Sequence, residues 1–251
     1  MAFQTVFRRY ELKYLLTYEQ RDALLRAMDP YMKLDKYGKS TIRNIYYDTD
    51  SYRLVRRSIE KPMYKEKLRV RSYTLATEES TVFVELKKKY DGVVYKRRLS
   101  LPHNLATDWL AGKRPIPTRS QISEEVEYFL RYYSTLVPAV YLSYDRCAYF
   151  CRSGTDFRVT FDENILARTE NLTLQAEPYG APLLQDGYVL LEIKCSGGIP
   201  LWMTEFLSAN KIYKTSFSKY GRAYEKLIFP TLYSASKKQF NMQNKEELTH
   251  V

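Results

Sequence analysis

The feature that most constrains this chain is a two-residue alternation that recurs, with the same chemistry, from one stretch to the next. In "KEKLRVRSY", Leu68 and Val70 alternate with Lys67, Arg69 and Arg71. In "STVFVELKKK", Val82, Val84 and Leu86 alternate with Phe83, Glu85, Lys87 and Lys89. "GVVYKRRLSL" sets Lys96 and Arg98 against Val93, Tyr95 and Leu99, and "FRVTFDENILAR" sets Arg158, Thr160 and Asp162 against Phe157, Val159 and Phe161. "YVLLEIKC" sets Glu192 and Lys194 against Leu191 and Ile193, and "FRRYELKYLL" sets Glu11 and Lys13 against Tyr10, Leu12 and Tyr14. Successive side chains of a strand point to opposite faces, so a period of two reads as a half-buried β-strand. One face is apolar; the other carries cations mixed with carboxylates.

A polar face turned to bulk water accounts for any one of these strands. It accounts less well for the set. Cations at equal parity on neighbouring strands repel, by roughly 1 kcal/mol per close pair in water and by more in a confined space. Four segments also read as helices with apolar faces that need a surface to cover. They are "TYEQRDALLRAM", with Thr17 and Gln20 as a capping box, "SEEVEYFLRYYSTL", "PLWMTEFLSAN", with Pro200 suited to its first turn, and "SFSKYGRAYEKLIF". "STIRNIYYDT" and "AVYLSYDRCAYF" are further strands, and "YDG" marks a hairpin. Helices laid over the apolar faces leave the charges inside. The expected fold is α+β: a closed antiparallel eight-stranded β-barrel with a basic lumen and helices packed outside, closure removing the sheet edges.

Composition agrees with an anionic ligand. The 251 residues carry 40 Lys plus Arg against 29 Asp plus Glu, a formal net charge of +11. That surplus favours polyanions: nucleic acid, an anionic membrane surface or phosphate compounds. The three cysteines, Cys147, Cys151 and Cys195, form no disulfide framework and lack a second pair for a zinc site, which suits free thiols in the cytoplasm. Charges interrupt the N-terminal stretch where a signal peptide needs an apolar run, and no stretch approaches the roughly 18 apolar residues of a membrane span. We expect one domain over residues 1–234 and a polar tail over 235–251.

The strings "YELKYLL", "IYYDT", "KLRVRSY", "VELKKK", "YKRRL", "YDRCAY", "FRVTFDENI", "LEIKC" and "SFSKYGRAYEK" together resemble, in order, the motifs of the VTC domain. That domain is the polyphosphate-polymerase branch of the triphosphate tunnel metalloenzyme (CYTH-like) superfamily. The resemblance runs from about residue 7 to residue 228. It implies an inside-out barrel that transfers the γ-phosphate of ATP to a growing polyphosphate chain, with Mn2+ or Mg2+ as cofactor. Carried over by position, it implies phosphate binding by Lys13, Arg69, Arg71, Lys87, Lys96, Arg98, Arg146, Arg158 and Lys194, and by the late group Lys214, Ser218 and Lys219. Lys13, Arg69, Arg71, Arg158 and Glu192 would be catalytic. Glu192 would hold the metal, with Glu11, Glu85 and Asp162 as further ligands or as ion-pair partners of the lumen cations. Tyr47 and Tyr144 are either wall residues or lumen donors.

One departure separates the chain from the wider superfamily. Triphosphatases and class IV adenylate cyclases open with ExExK, whereas this chain reads "RYELK", with Arg9 in place of the first Glu. That disfavours plain triphosphate hydrolysis. The other readings are a catalytically inactive polyphosphate- or triphosphate-binding module, a triphosphatase of the same fold, and a nucleic-acid-binding barrel. The last would interleave aromatics with basic residues; here most Tyr residues stand at the opposite parity, so no nucleic-acid partner is expected.

Overall fold

The computed structural model describes residues 10–116, 118–234 and 237. Arg9, and the tail apart from residue 237, lie outside the described residues. Among the described residues nine strands form one antiparallel sheet: β1 (Tyr10–Thr17), β2 (Met32–Asp48), β3 (Tyr64–Ser72), β4 (Thr81–Tyr90), β5 (Val93–Pro102), β6 (Val137–Cys151), β7 (Arg158–Arg168), β8 (Ala181–Pro182) and β9 (Tyr188–Cys195). Their order is β1-β9-β7-β6-β2-β3-β4-β5, with the short β8 added on β7. The β4–β5 hairpin turns at Asp91 and Gly92, both at positive φ as a two-residue turn of this kind requires.

The sheet departs from the expected closed barrel. Among the described strands no main-chain ladder joins β5 to β1. The edge of β1 is occupied instead by the segment before the last helix: Thr215 N–H donates to the Lys13 carbonyl at 2.7 Å, and Tyr14 bridges to Lys214. Side chains span the seam, with Lys87 of β4 donating to Glu11 of β1 at 2.9 Å. A strand edge whose N–H and C=O groups already have partners does not need a neighbouring strand.

The alternation is realised in the packing. Leu68, Val70, Val82, Val84 and Leu86 are buried in a cluster with Trp109, Leu110, Val126 and Phe129, which come from α3 (His103–Leu110) and α4 (Gln121–Tyr132). Leu16, Val159, Phe161, Leu191 and Ile193 pack with Leu24 and Met28 of α1 (Tyr18–Met28), and with Met203 and Leu207 of α5 (Leu201–Ala209). These helices cover the apolar outer face, as expected. The Thr17–Gln20 capping box forms in both directions, at 3.0 and 3.2 Å. Pro200 stands at the N-cap of α5, one position before its first turn.

The last helix, α6 (Lys219–Ala223), continues through a π-helical turn (Tyr224–Ile228). It packs with α2 (Arg53–Ile59) against a third cluster that includes Ile42, Tyr46, Leu142, Tyr144 and Leu190. Tyr46 and Tyr144 stand at the parity of the charged face, so the start of α6 enters the inner side of the sheet. Asp48 anchors it there, accepting from the Leu54 and Val55 N–H groups of α2 and from the Tyr220 hydroxyl at 2.8–2.9 Å. Among the described residues no helix is long and apolar enough to cross a membrane.

Candidate functional site

Strand register stacks the inner charges into rungs. Lys65 faces Lys89; Lys67 faces Lys87, which faces Lys96; Arg69 faces Glu85, which faces Arg98; Arg71 faces Phe83. On the other wall Lys13 faces Glu192, which faces Thr160, and Glu11 faces Lys194, which faces Arg158. Arg146 faces Asp162. Two like charges 4 Å apart cost about 4 kcal/mol at an effective dielectric near 20. Glu85 and Glu192 relieve this by standing in register beside cations, and each gathers several of them, whereas the Lys65–Lys89 and Lys67–Lys87–Lys96 rungs have no carboxylate in register.

Glu85 is the centre of one wall, only 1% exposed. Its Oε2 takes Arg69 Nη2 at 2.6 Å, and its Oε1 takes Lys96 Nζ at 2.7 Å and Arg98 Nε at 2.7 Å. Arg71 Nη1 stands further off, at 3.9 Å. Burial would raise this carboxyl, but Arg69, Arg71, Lys96 and Arg98 outweigh it and hold it well below the usual carboxylate range. The arginines are aimed by neutral groups as well. Arg69 donates to the Tyr46 hydroxyl at 2.8 Å, and Arg71 donates to Asn44 Oδ1 at 2.9 Å and to the Tyr144 hydroxyl at 3.1 Å.

Glu192 and Asp162 are the centre of the other wall. Lys219 Nζ stands 3.0 Å from Glu192 and 2.5 Å from Asp162. Lys194 and Lys13 approach Glu192 at 3.2 and 3.5 Å. Arg146 grips Asp162 with both Nε and Nη2, at 2.6 and 2.7 Å, and reaches Glu192 at 3.5 Å. Against the cost of burial, Lys219, Lys13, Lys194 and Arg146 keep Glu192 well below its ordinary pKa. Glu11 is held at about 2: burial raises it, and Lys87 and Lys194 more than compensate.

Lys67 is compensated differently. Its Nζ donates to Ser218 Oγ at 3.1 Å. Burial first, then Lys13, Lys65, Lys87 and Arg69, push its pKa down to about 7. The side chain is walled in by protein yet still reached by water, as in a wet concavity. Burial also lowers Lys194.

Most of the site residues expected from sequence converge here: Lys13, Arg69, Arg71, Lys87, Lys96, Arg98, Arg146, Glu192, Lys194 and Lys219. Ser218 caps α6 and meets Lys67. Arg158 lies at the rim, its guanidinium over the Phe150 ring and 3.7 Å from Asp156. Lys214 is exposed beside the outer edge of β1, apart from the cluster. Tyr144 is a lumen residue, whereas Tyr47 belongs to the outer core; the lumen hydroxyl on that strand is Tyr46. Lys65, Lys67, Asn44 and Tyr46 are inner residues that the motif match did not single out. Their parity, shared with Arg69 and with each other along "TIRNIYYD", was the available signal.

No group of three or more His, Cys, Asp or Glu gathers as a metal cluster among the described residues. Glu85 and Asp162 use their oxygens on arginine and lysine. A Mg2+-type ion, however, takes only one or two protein carboxylates when phosphates and water supply its other ligands. Glu192 also meets Lys219, Lys194, Lys13 and Arg146, so it would hold such an ion only by exchanging some of these contacts, with Glu11 close enough to feel its charge.

Comparison with known proteins bears on the family and the fold. The family model of the VTC domain matches residues 8–228. No curated protein matches the chain. Among solved structures, a candidate adenylate cyclase from Bacillus halodurans aligns at 16% identity and TM-score 0.52, over 86% of this chain and 96% of its own. A candidate adenylyl cyclase from Hippeastrum with a dominant triphosphatase activity aligns at 16% identity and TM-score 0.51, over 84% and 93%. At this identity the likeness concerns the fold alone.

Proposed function

Because the chain belongs to the VTC domain family, we propose that it is a polyphosphate polymerase of the cytoplasm, passing the γ-phosphate of ATP to a polyphosphate chain held among its inner cations. One observation carries this reading: lysines and arginines from most strands of the sheet face inward in excess of the carboxylates that position them. Phosphoryl transfer needs in-line placement and charge stabilisation more than covalent chemistry. Lys13, Arg69, Arg71 and Arg158 would clamp the terminal phosphates, and Lys87, Lys96, Arg98, Arg146, Lys194 and Lys219 would hold the rest of the chain. Lys214 and Ser218 would act beside α6. Arg71 makes the longest contact to Glu85 of the arginines there, at 3.9 Å, and is held instead by Asn44 and the Tyr144 hydroxyl. Glu85 and Glu192 fix the cations in place, so little reorganisation is required when phosphate arrives.

In the transfer, an anionic oxygen at the end of the polyphosphate forms a bond to the γ-phosphorus. The bond to the β–γ bridging oxygen breaks, and its electron pair leaves with ADP. The acceptor is already ionised, so no general base is required. A divalent ion, held by Glu192 and secondarily by Glu11, would neutralise charge on the phosphate oxygens.

The test is incubation with ATP and Mn2+, followed by a gel stained for polyphosphate and by assays of ADP and orthophosphate. We expect long chains and ADP with little orthophosphate, and no turnover after metal chelation. Glu192→Gln should abolish turnover while leaving metal-free triphosphate binding intact. Orthophosphate released in step with ADP, with no polymer, would replace this reading by hydrolysis.

A further inference from the structure

The inner wall made by β3, β4 and β5 is not uniform along its length. At one end the rungs are lysine: Lys65 with Lys89, then Lys67 with Lys87 and Lys96. About 7 Å further per rung come Arg69 with Glu85 and Arg98, then Arg71 with Phe83. Phe83 is an aromatic ring at a position where β4 otherwise carries Glu85, Lys87 and Lys89. Just beyond β3, Tyr73 closes on it edge-to-face, with ring centroids 5.4 Å apart. Arg98 lies over Phe83 at 4.5 Å and over Tyr73 at 5.7 Å, and donates to the Tyr73 hydroxyl at 2.8 Å. Arg71 lies 5.9 Å from the Tyr73 ring centroid. Tyr73 itself is 39% exposed, so its ring is accessible from solvent.

We propose that Tyr73 and Phe83, braced by Arg98, form the subsite for the nucleobase of the donor nucleotide at the arginine end of the lumen. The inference deepens the polymerase reading and rests on it. Two aromatic rings beside two arginines form a surface that offers a π-face to a base and forked donors to the phosphates attached to it. The lysine rungs at the other end carry no inward aromatic on β3 or β4, and they suit a chain of phosphates without a base. The donor therefore enters from the Tyr73 end, and the growing chain runs along Lys87, Lys67, Lys89 and Lys65. Stacking uses a face that every base possesses, so GTP should follow ATP through the same variants.

The experiment is metal-free calorimetric titration of ATP and of inorganic triphosphate into the parent, Tyr73→Ala, Tyr73→Phe and Phe83→Leu. Tyr73→Ala should weaken ATP about tenfold, within the range measured for loss of one base–aromatic stack, while triphosphate affinity stays within about twofold. Tyr73→Phe keeps the ring and should keep the ATP affinity. Phe83→Leu should lower ATP affinity selectively, which covers the case of a Tyr73→Ala protein that fails to fold. An unchanged ratio of ATP to triphosphate affinity in both Tyr73→Ala and Phe83→Leu would overturn the subsite while leaving the phosphate lumen standing. If triphosphate itself does not bind the parent, the polymerase reading fails and the subsite fails with it.

Discussion

Glu85 and Lys67 stand on adjacent strands and show opposite solutions to the same crowding. Around Glu85, the surrounding cations make ionisation of a buried carboxyl easy. Around Lys67, burial and four neighbouring cations make ionisation of an ammonium hard, and its pKa falls to about 7. A lysine in the unfolded chain titrates near 10.4. Between these values the folded protein binds fewer protons than the unfolded one, so Lys67 makes stability rise with pH across that window, and its cost is full below pH 7. A polyanion placed beside it reverses the balance. Triphosphate binding at pH 8 should therefore draw about one proton from solvent onto Lys67. Calorimetry in two buffers of different ionisation enthalpy reads this directly, and Lys67→Met should remove most of the uptake. Lys96 is also lowered to about 7, by burial and by Arg98, Arg69 and Arg71, but Glu85 stands 2.7 Å away. Its side chain is 39% exposed, so we expect the smaller share from it. Proton uptake equal in parent and Lys67→Met would mean that the anion binds elsewhere.

At the scale of elements, α6 is the piece that joins the two walls of the site. Its first residue, Lys219, sits between Asp162 and Glu192; the residue before it accepts from Lys67; and Phe217 offers its carbonyl to Lys13 at 2.6 Å. Breaking a buried pair by deleting one partner typically costs about 3–5 kcal/mol, because the remaining charge is left uncompensated. Lys219→Met should lose stability on that scale, and Lys219→Arg should lose less. The sign with pH follows from the carboxylates. Asp162 and Glu192 have depressed pKa values in the fold, so they stabilise it above the ordinary carboxylate range, and that stability is lost as pH falls through the folded values. Without Lys219 those values rise, so acid unfolding followed by circular dichroism should shift to higher pH. An unchanged acid midpoint would show that Lys219 does not compensate them. The strands and the helices α1, α4, α5 and α6 were legible because periodicity and caps are local signals. Two helices were not. α2 begins at Tyr52 in a left-handed conformation with no side-chain cap of its own, and Asp48, in the preceding strand, bonds its first turns instead. α3 carries apolar residues at 105, 106, 109 and 110 before Gly112 at positive φ, but it follows β5 directly and reads as a continuation of the strand.

For the whole molecule, parity put most charges of β1, β3, β4, β5, β7 and β9 on one face, whereas on β2 the inner face carries Asn44 and Tyr46 and Arg43 stands on the outer one, and the site residues were named by the family resemblance. Parity could not specify closure. Whether β5 meets β1 depends on what else claims the β1 edge, and the claimant, Lys214–Thr215, lies some 200 residues further along the chain, where no periodic signal points back. The result is a curled sheet held across its seam by Glu11 and Lys87, around a lumen whose cations exceed its carboxylates. Such a lumen repels itself, so an anion bound inside it should stabilise the fold. A ligand that binds only the folded state stabilises it by about 2.7 kcal/mol at a hundredfold excess over its dissociation constant. For a chain of this size each kcal/mol is worth about 2–4 °C, so triphosphate should raise the melting temperature by roughly 5–10 °C. Orthophosphate should do far less at matched ionic strength, because one phosphate cannot span rungs that strand geometry sets about 7 Å apart. Arg69→Ala or Arg71→Ala should reduce the triphosphate shift and flatten its salt dependence, since fewer charges meet the anion. Leu68→Ala, on the apolar wall, should lower the starting temperature and leave the shift in place. Equal shifts from triphosphate and orthophosphate would mean that both merely screen the surface, and the lumen would then not be the anion's site.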